Sequence, residues 1–193
     1  MSAVSWGAVC RAKNGQTVCG DTYVLIENPQ GVVLASVIDG LGGGAEAARA
    51  AQLAASVLRE HSEEPLSSIL RRAHTALHST RGAVIGMLRL DTQARKAWYI
   101  GVGNIGIYAQ SAHQIRPISK NGILGARLPT SLLELTYVYD PGDTFVLYSD
   151  GVSNRWSIEG KINLHLAPQV IADTTLELYG KTNDDVTVLV VRP

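Results

Sequence analysis

Four aspartates stand at the ends of apolar, strand-like runs. Asp39 closes VVLASVI and Asp150 closes TFVLYS, each followed by glycine, Gly40 and Gly151. Asp21 opens TYVLI, and Asp184, with Asp185 beside it, opens VTVLVV. In antiparallel pairing the C-terminal end of one strand lies beside the N-terminal end of its neighbour, so these acids can meet at one edge of a sheet. Carboxylates gathered in that way repel one another and are costly to desolvate. A bound cation relieves both costs. A donor set of oxygens with no supporting His or Cys suits Mg2+ or Mn2+ better than Zn2+ or copper. Glycine after two of the acids lets backbone approach a ligand closely, and its carbonyl can itself coordinate. The rival reading is a set of capped or solvated turn residues, since Asp-Gly is a common turn dipeptide. Their shared placement at strand ends weighs against four unrelated turns. The segment Asp39-Gly40-Leu41-Gly42-Gly43-Gly44 lacks both the Lys-Ser/Thr of a phosphate loop and the spacing of a dinucleotide fingerprint. It reads as a tight turn into a helix near Ala45, whose N-terminus would favour an anion.

The elements that must hold these acids follow from periodicity. Val4–Lys13, Tyr23–Ile26 and Val32–Ile38 read as strands, the last apolar enough to be covered on both faces. Helical spacing runs from Ala45 to His61, and again from Glu64, where Leu66, Ile69, Leu70, Ala73 and Leu77 form one apolar stripe. Val84–Leu90, Ala97–Val102, Ile105–Gln110 and His113–Ile118 suggest an antiparallel meander. Leu132–Tyr139 and Thr144–Ser149 are expected to pair across the turn Asp140-Pro141-Gly142-Asp143. A helix over Ala167–Tyr179 and a strand over Val186–Val191 end the chain. The class is α+β, best satisfied by two packed sheets with helices outside.

Composition narrows the function. The 193 residues fit one domain, 1–193, with a core large enough to need no staples. Lysine plus arginine equals aspartate plus glutamate at 17 each, which argues against a dedicated nucleic-acid binder. No apolar run is long enough to span a bilayer. The N-terminus shows no basic region followed by a long apolar stretch. Cys10 and Cys19 are too few for a disulfide scaffold and read as reduced thiols inside a cell, so a cytoplasmic protein is expected.

These residues carry a family resemblance. Gly20-Asp21, VIDGLGGG (37–44), RGAVIG (81–86), VGNIGIY (102–108), GILG (122–125), DTFVLYSDGVSN (143–154) and DDVT (184–187) occur in the order seen in the PPM, or type 2C, protein phosphatases. The chain is most similar to their bacterial SpoIIE-like branch, and within it to the compact feedback phosphatases of the stressosome. The resemblance implies a four-layer α-β-β-α sandwich and two divalent cations, Mn2+ or Mg2+. It places Asp39 as the ligand shared by both, the Gly40 carbonyl and Asp21 on the second, and Asp150 and Asp184 on the first. Water activated between the cations would attack phosphorus in line with the leaving oxygen. The implied substrates are phosphoserine or phosphothreonine on STAS-domain stressosome proteins, dephosphorylated as negative feedback on the stress response; for the chain itself a monomer is expected. Asn104 stands where many members have an aspartate for a third metal. The phosphate-binding arginine of eukaryotic members has no secure counterpart; Arg11 and Asn154 are the weak candidates for contacting substrate.

Two other functions remain open at this point: a catalytically weak docking module of the same fold, and a phosphatase of small phosphorylated metabolites. Other polar residues read more simply. His74 and His78, four apart on a helix with Arg71 and Arg81 nearby, make a solvated face rather than a zinc half-site. Cys19 lies beside Asp21 but lacks an identifiable base for a nucleophilic role.

Overall fold

In the computed structural model, which describes residues 4–193 with the side chains of residues 157 and 158 excepted, VVLASVI lies within a strand buried on both faces. This strand, β3 (Val32–Gly40), sits inside a five-stranded antiparallel sheet with β2 (Asp21–Glu27), β4 (Ala83–Asp91), β5 (Lys96–Val102) and β7 (Glu134–Val138), in the order β2-β3-β4-β5-β7. A second sheet, also antiparallel, is built from β1 (Ser5–Arg11), β9 (Val186–Arg192), β8 (Thr144–Tyr148) and β6 (Gly106–Gln110), in the order β1-β9-β8-β6. Helices α1 (Gly44–Glu60) and α2 (Leu66–Ala76) cover the outer face of the first sheet. The short α3 (Trp156–Glu159) and α4 (Pro168–Tyr179) cover that of the second. The expected four-layer sandwich is present.

Three apolar layers follow from strand alternation. Leu34 and Ile38 of β3 pack under α1 and α2, while Val33, Ala35 and Val37 face the other sheet. Across the gap, Phe145 and Leu147 of β8 and Leu189 and Val191 of β9 meet them. Val146, Val188 and Val190 point the other way, onto α4. The face of α1 turned to the sheet is almost all alanine (Ala47, Ala50, Ala51, Ala54, Ala55), ending in fully buried Leu58. Such small side chains let the helix lie close: a Cβ on Gly40 would fall 2.0 Å from the Ala47 carbonyl oxygen. Arg89 of β4 ties down the α1–α2 turn, donating to the carbonyls of Ser62 and Glu64 at 2.7 Å each.

The topology departs from the expected one in three places. After the β4–β5 hairpin, the chain leaves the first sheet at Gly103-Asn104, and β6 pairs with β8 rather than with β5. The turn at 140–143 likewise joins two sheets, since β7 pairs with β5 and β8 with β6 and β9. His113–Ile118 is not a strand. Pro117 has no N–H to give a ladder, and the Ile115 N–H turns back to the His113 carbonyl at 3.0 Å. The reading of the N-terminus as leaderless rests partly on residues 1–3, which lie outside the described residues. Among the described residues no helix is long and apolar enough to cross a membrane.

Candidate metal centre

The inter-sheet row of side chains is apolar for most of its length and polar at one end. Along β3 the residues facing the second sheet run Val33, Ala35, Val37 and then Asp39. Asp21 opens β2 directly opposite Asp39 in the ladder, so the two acids share that face. In the second sheet Ser149 and Thr187 continue the rows of Leu147 and Leu189, and the Thr187 N–H donates to Ser149 Oγ at 2.9 Å. Both are fully buried. Asp150 follows Ser149, and Asp184 and Asp185 precede β9. The four sequence-predicted acids thus gather at one end of the sandwich. They come as one pair from each sheet rather than along one sheet edge.

Close backbone packing holds each pair together. A Cβ on Gly151 would lie 1.9 Å from the Asp185 carbonyl oxygen, so only glycine lets the turn after β8 rest on the turn before β9. Lys181 clasps the same turn, its Nζ on the Asp150 carbonyl at 2.6 Å and its N–H on the Gly151 carbonyl at 2.8 Å. Gly40 is buried, and its N–H donates to the Gly20 carbonyl at 3.2 Å.

Asp39, Asp150 and Asp184 line an open cleft of about 360 Å³, together with Leu41, Gly42, Val84, Gly103, Asn104, Asn121 and Gly122. Burial, then the charges of Asp21 and Asp150, push the Asp39 carboxyl up to about 8. Burial likewise pushes Asp21 up to about 6, against the opposing pull of the Ser149 hydroxyl beside it. Asp21 Oδ2 is buried without a hydrogen-bond partner. Among the described residues no three His, Cys, Asp or Glu side chains stand close enough together to hold a metal ion without some movement. The acids line an open cleft, one of them with a buried oxygen left unsatisfied. A divalent cation fits that donor set: it would satisfy the orphaned oxygen and reverse the cost that raises Asp39 and Asp21.

Asn104 donates from Nδ2 to Asp150 Oδ2 at 2.7 Å, so the amide orients one of the acids. Arg11 does not line the cleft; its guanidinium donates to the Lys181 carbonyl at 2.5 Å. Asn154 is exposed in the turn after Gly151 and is also absent from the cleft lining.

Two cations that the sequence reading did not single out for the site stand at its edge. Lys13 donates from Nζ to the Gly42 carbonyl at 3.2 Å, and its backbone N–H donates to Asp185 Oδ1 at 3.0 Å. Arg81 also lies against Gly42, its Nη1 2.7 Å from where a Cβ would stand, and Gly42 has a φ of 104° that favours glycine. Arg81 belongs to the RGAVIG segment, so a signal for it existed; Lys13 had none. His74 is more than a solvated surface residue. Its Nδ1 accepts the Gly125 N–H at 3.0 Å and so ties α2 to the loop that brings Asn121 and Gly122 to the cleft.

Comparison with known proteins places these features among relatives. The family model described as stage II sporulation protein E (SpoIIE) matches residues 29–193. Phosphoserine phosphatase RsbX of Bacillus subtilis (strain 168) is 27% identical over 143 residues, covering 73% of this chain and 71% of RsbX. A chain from a structure of the bacterial stressosome, described as a modular system adapted to control secondary messenger signaling, superposes with a TM-score of 0.91. It is 33% identical, with 98% of this chain and 99% of that chain covered. The crystal structure of RsbX in complex with magnesium gives a TM-score of 0.84 at 23% identity, covering 98% and 94%.

Proposed function

The chain belongs to the SpoIIE family of type 2C phosphatase domains and is related to RsbX, and from that premise we propose that it hydrolyses phosphoserine or phosphothreonine on a partner protein with two divalent cations, Mg2+ or Mn2+. The observation that carries this reading is the meeting of Asp39, Asp150 and Asp184 on one open cleft, beside buried Asp21 with its unpartnered oxygen. Asp21, Asp39, Asp150 and Asp184, with the Gly40 carbonyl, are the groups that would hold the cations, Asp39 being shared. When bound, two such ions lower the pKa of water and neutralise charge on a transferring phosphoryl group.

The chain's own residues supply the rest. Asn104 fixes the Asp150 carboxylate through its amide, so one ligand enters in a set orientation. Lys181, Ser149 and Thr187 keep the strand ends registered. Arg81 and Lys13, both against Gly42 at the cleft wall, are placed to attract a phosphate group and steer it toward the acids. The cleft is open to solvent, which suits a phosphorylated side chain presented on a protein surface better than an enclosed metabolite. By kinship with RsbX, the substrates would be phosphorylated STAS-domain proteins of a stressosome, and the reaction would act as negative feedback on the stress response.

The test is phosphate release from a phosphoserine STAS-domain protein and from small phosphate esters, with Mn2+, with Mg2+ and with chelator. Metal-dependent turnover that favours the phosphoprotein is expected. Faster turnover of a metabolite would move the substrate class. Tight substrate binding without turnover in any metal would make the chain a docking module.

A further inference from the structure

Away from the cleft lining, the two cysteines of the chain stand together. Cys10 lies in β1 of one sheet and Cys19 just ahead of β2 in the other, nine positions apart in sequence, with their sulfurs 2.7 Å apart. Both are free thiols; Cys10 is exposed and Cys19 partly so. A disulfide bond is about 2.05 Å long, so closing one asks the sulfurs to move by roughly 0.7 Å. The Cys10 sulfur is held from behind, accepting from Thr187 Oγ1 at 3.2 Å and lying 3.6 Å from the Asp21 carbonyl. Neither thiol lines the acidic cleft, and the phosphatase chemistry has no use for them.

We propose that Cys10 and Cys19 form an oxidative modification site, a dithiol that closes to an intrachain disulfide when a hydroperoxide reaches it. The Cys10 sulfur, the more exposed, attacks one peroxide oxygen. The O–O bond breaks, Cys10 becomes a sulfenic acid, and the departing hydroxide leaves as water with the thiol proton. The Cys19 sulfur then attacks the Cys10 sulfur, the S–O bond breaks, and a second water leaves with the Cys19 proton. Two thiols are oxidised by two electrons in all, and one hydrogen peroxide is reduced to two waters. The bond closes a ring around Lys13, which touches Gly42 and Asp185. Oxidation therefore restrains the segment lying along the cleft wall. The site stands on the thiol geometry alone and is independent of the phosphatase reading.

The experiment treats the folded, chelated chain with stoichiometric hydrogen peroxide, then labels free thiols with iodoacetamide and measures intact and peptide masses. Labelling should fall from both cysteines to neither, the intact mass should drop by two hydrogens, and one peptide should join Cys10 to Cys19. Dithiothreitol should restore both labels. Cys10→Ser and Cys19→Ser should each abolish the cross-linked peptide. Persistent labelling of both thiols, oxygen added without a cross-link, or a cross-link between two chains would each overturn the proposal.

Discussion

Asp21 and Asp39 are direct cross-strand partners, two acids on the same face of the β2–β3 ladder where they close off an apolar row. Opposite residues on one face are near neighbours, and like charges there are destabilising. Burial adds to the repulsion, so the pair favours carrying a proton when nothing cationic is near.

The metal-free chain should therefore grow less stable as pH rises. Asp39 is pushed up to about 8 from the ordinary carboxylate value of 3.8, and Asp21 to about 6. Between those limits the folded state binds more protons than the unfolded state, so unfolding free energy falls with increasing pH. The loss begins near the ordinary carboxylate range and is complete above about 8, at about 1.4 kcal/mol per pH unit for each extra proton the folded state holds. Urea unfolding in chelator at pH 5 and pH 8 measures it. Asp39→Asn should flatten most of the dependence and raise stability at pH 8, while abolishing metal-dependent turnover. A midpoint that rises with pH in chelator would contradict the assignment.

Much of this site was legible in the chain because alternation and strand ends are local features. Asp39 stands two residues beyond Val37 and four beyond Ala35, so it inherits their face; Asp21 does the same ahead of Tyr23 and Leu25. What could not be read was which sheet each strand would join. The turn at Asp140-Pro141-Gly142-Asp143 states that the chain reverses, but the partner of β8 is fixed by long-range packing of Phe145 and Leu147 against the first sheet. Hence the acids were expected along one edge, whereas each sheet brings a pair. Lys13 escaped notice for a similar reason. It acquires its place only when the segment before β2 folds over the Gly42 turn and meets Asp185, far away in sequence.

Arg81 should contribute to substrate capture more than to the chemical step. It touches the cleft wall at Gly42 and makes no ion pair among the described residues. Arg81→Ala should raise KM for a phosphoprotein about 10-fold, the worth of one charge-assisted hydrogen bond, with kcat little changed. Lys13→Ala should act in the same direction. Steady-state kinetics across ionic strength would check both, since the wild-type advantage should shrink as salt screens it. A fall in kcat at unchanged KM would instead place Arg81 at the transition state.

Asn104 is the position where one changed atom tests the electrostatics of the cleft. Its Nδ2 donates to Asp150 Oδ2 at 2.7 Å. Asn104→Asp replaces that donor with a second carboxylate oxygen and turns attraction into repulsion. In chelator the variant should lose about 1 kcal/mol, kept small by solvent because residue 104 is exposed. Saturating Mn2+ should recover the loss and more, since an extra acid strengthens cation binding. Thermal melts with and without metal decide it, and a variant destabilised equally in both conditions would show that the amide serves packing alone.

Gly40 connects the fold to the site most directly, and its replacement separates steric from conformational demands on glycine. A Cβ there would stand 2.0 Å from the Ala47 carbonyl oxygen and 2.9 Å from that of Gly20, both of them backbone atoms that cannot swing aside. Gly40→Ala must push α1 away from β3 or bend the strand next to Asp39, and overpacking of this kind costs about 1–3 kcal/mol or more. Gly142 offers the contrast: its φ is 92°, but nothing lies within 4 Å of an added Cβ. Gly142→Ala should cost only the backbone strain, about 1 kcal/mol, and leave turnover intact because it sits at the opposite end of β8 from Asp150. Gly40→Ala should lose metal affinity and activity even where urea midpoints show most molecules folded, since Asp39 adjoins the displaced residue. Calorimetric titration with Mn2+ beside the unfolding curves distinguishes the two. If Gly40→Ala bound metal as the parent chain does, α1 would have to yield without moving Asp39, and the close seat of that helix would not be what positions the acid.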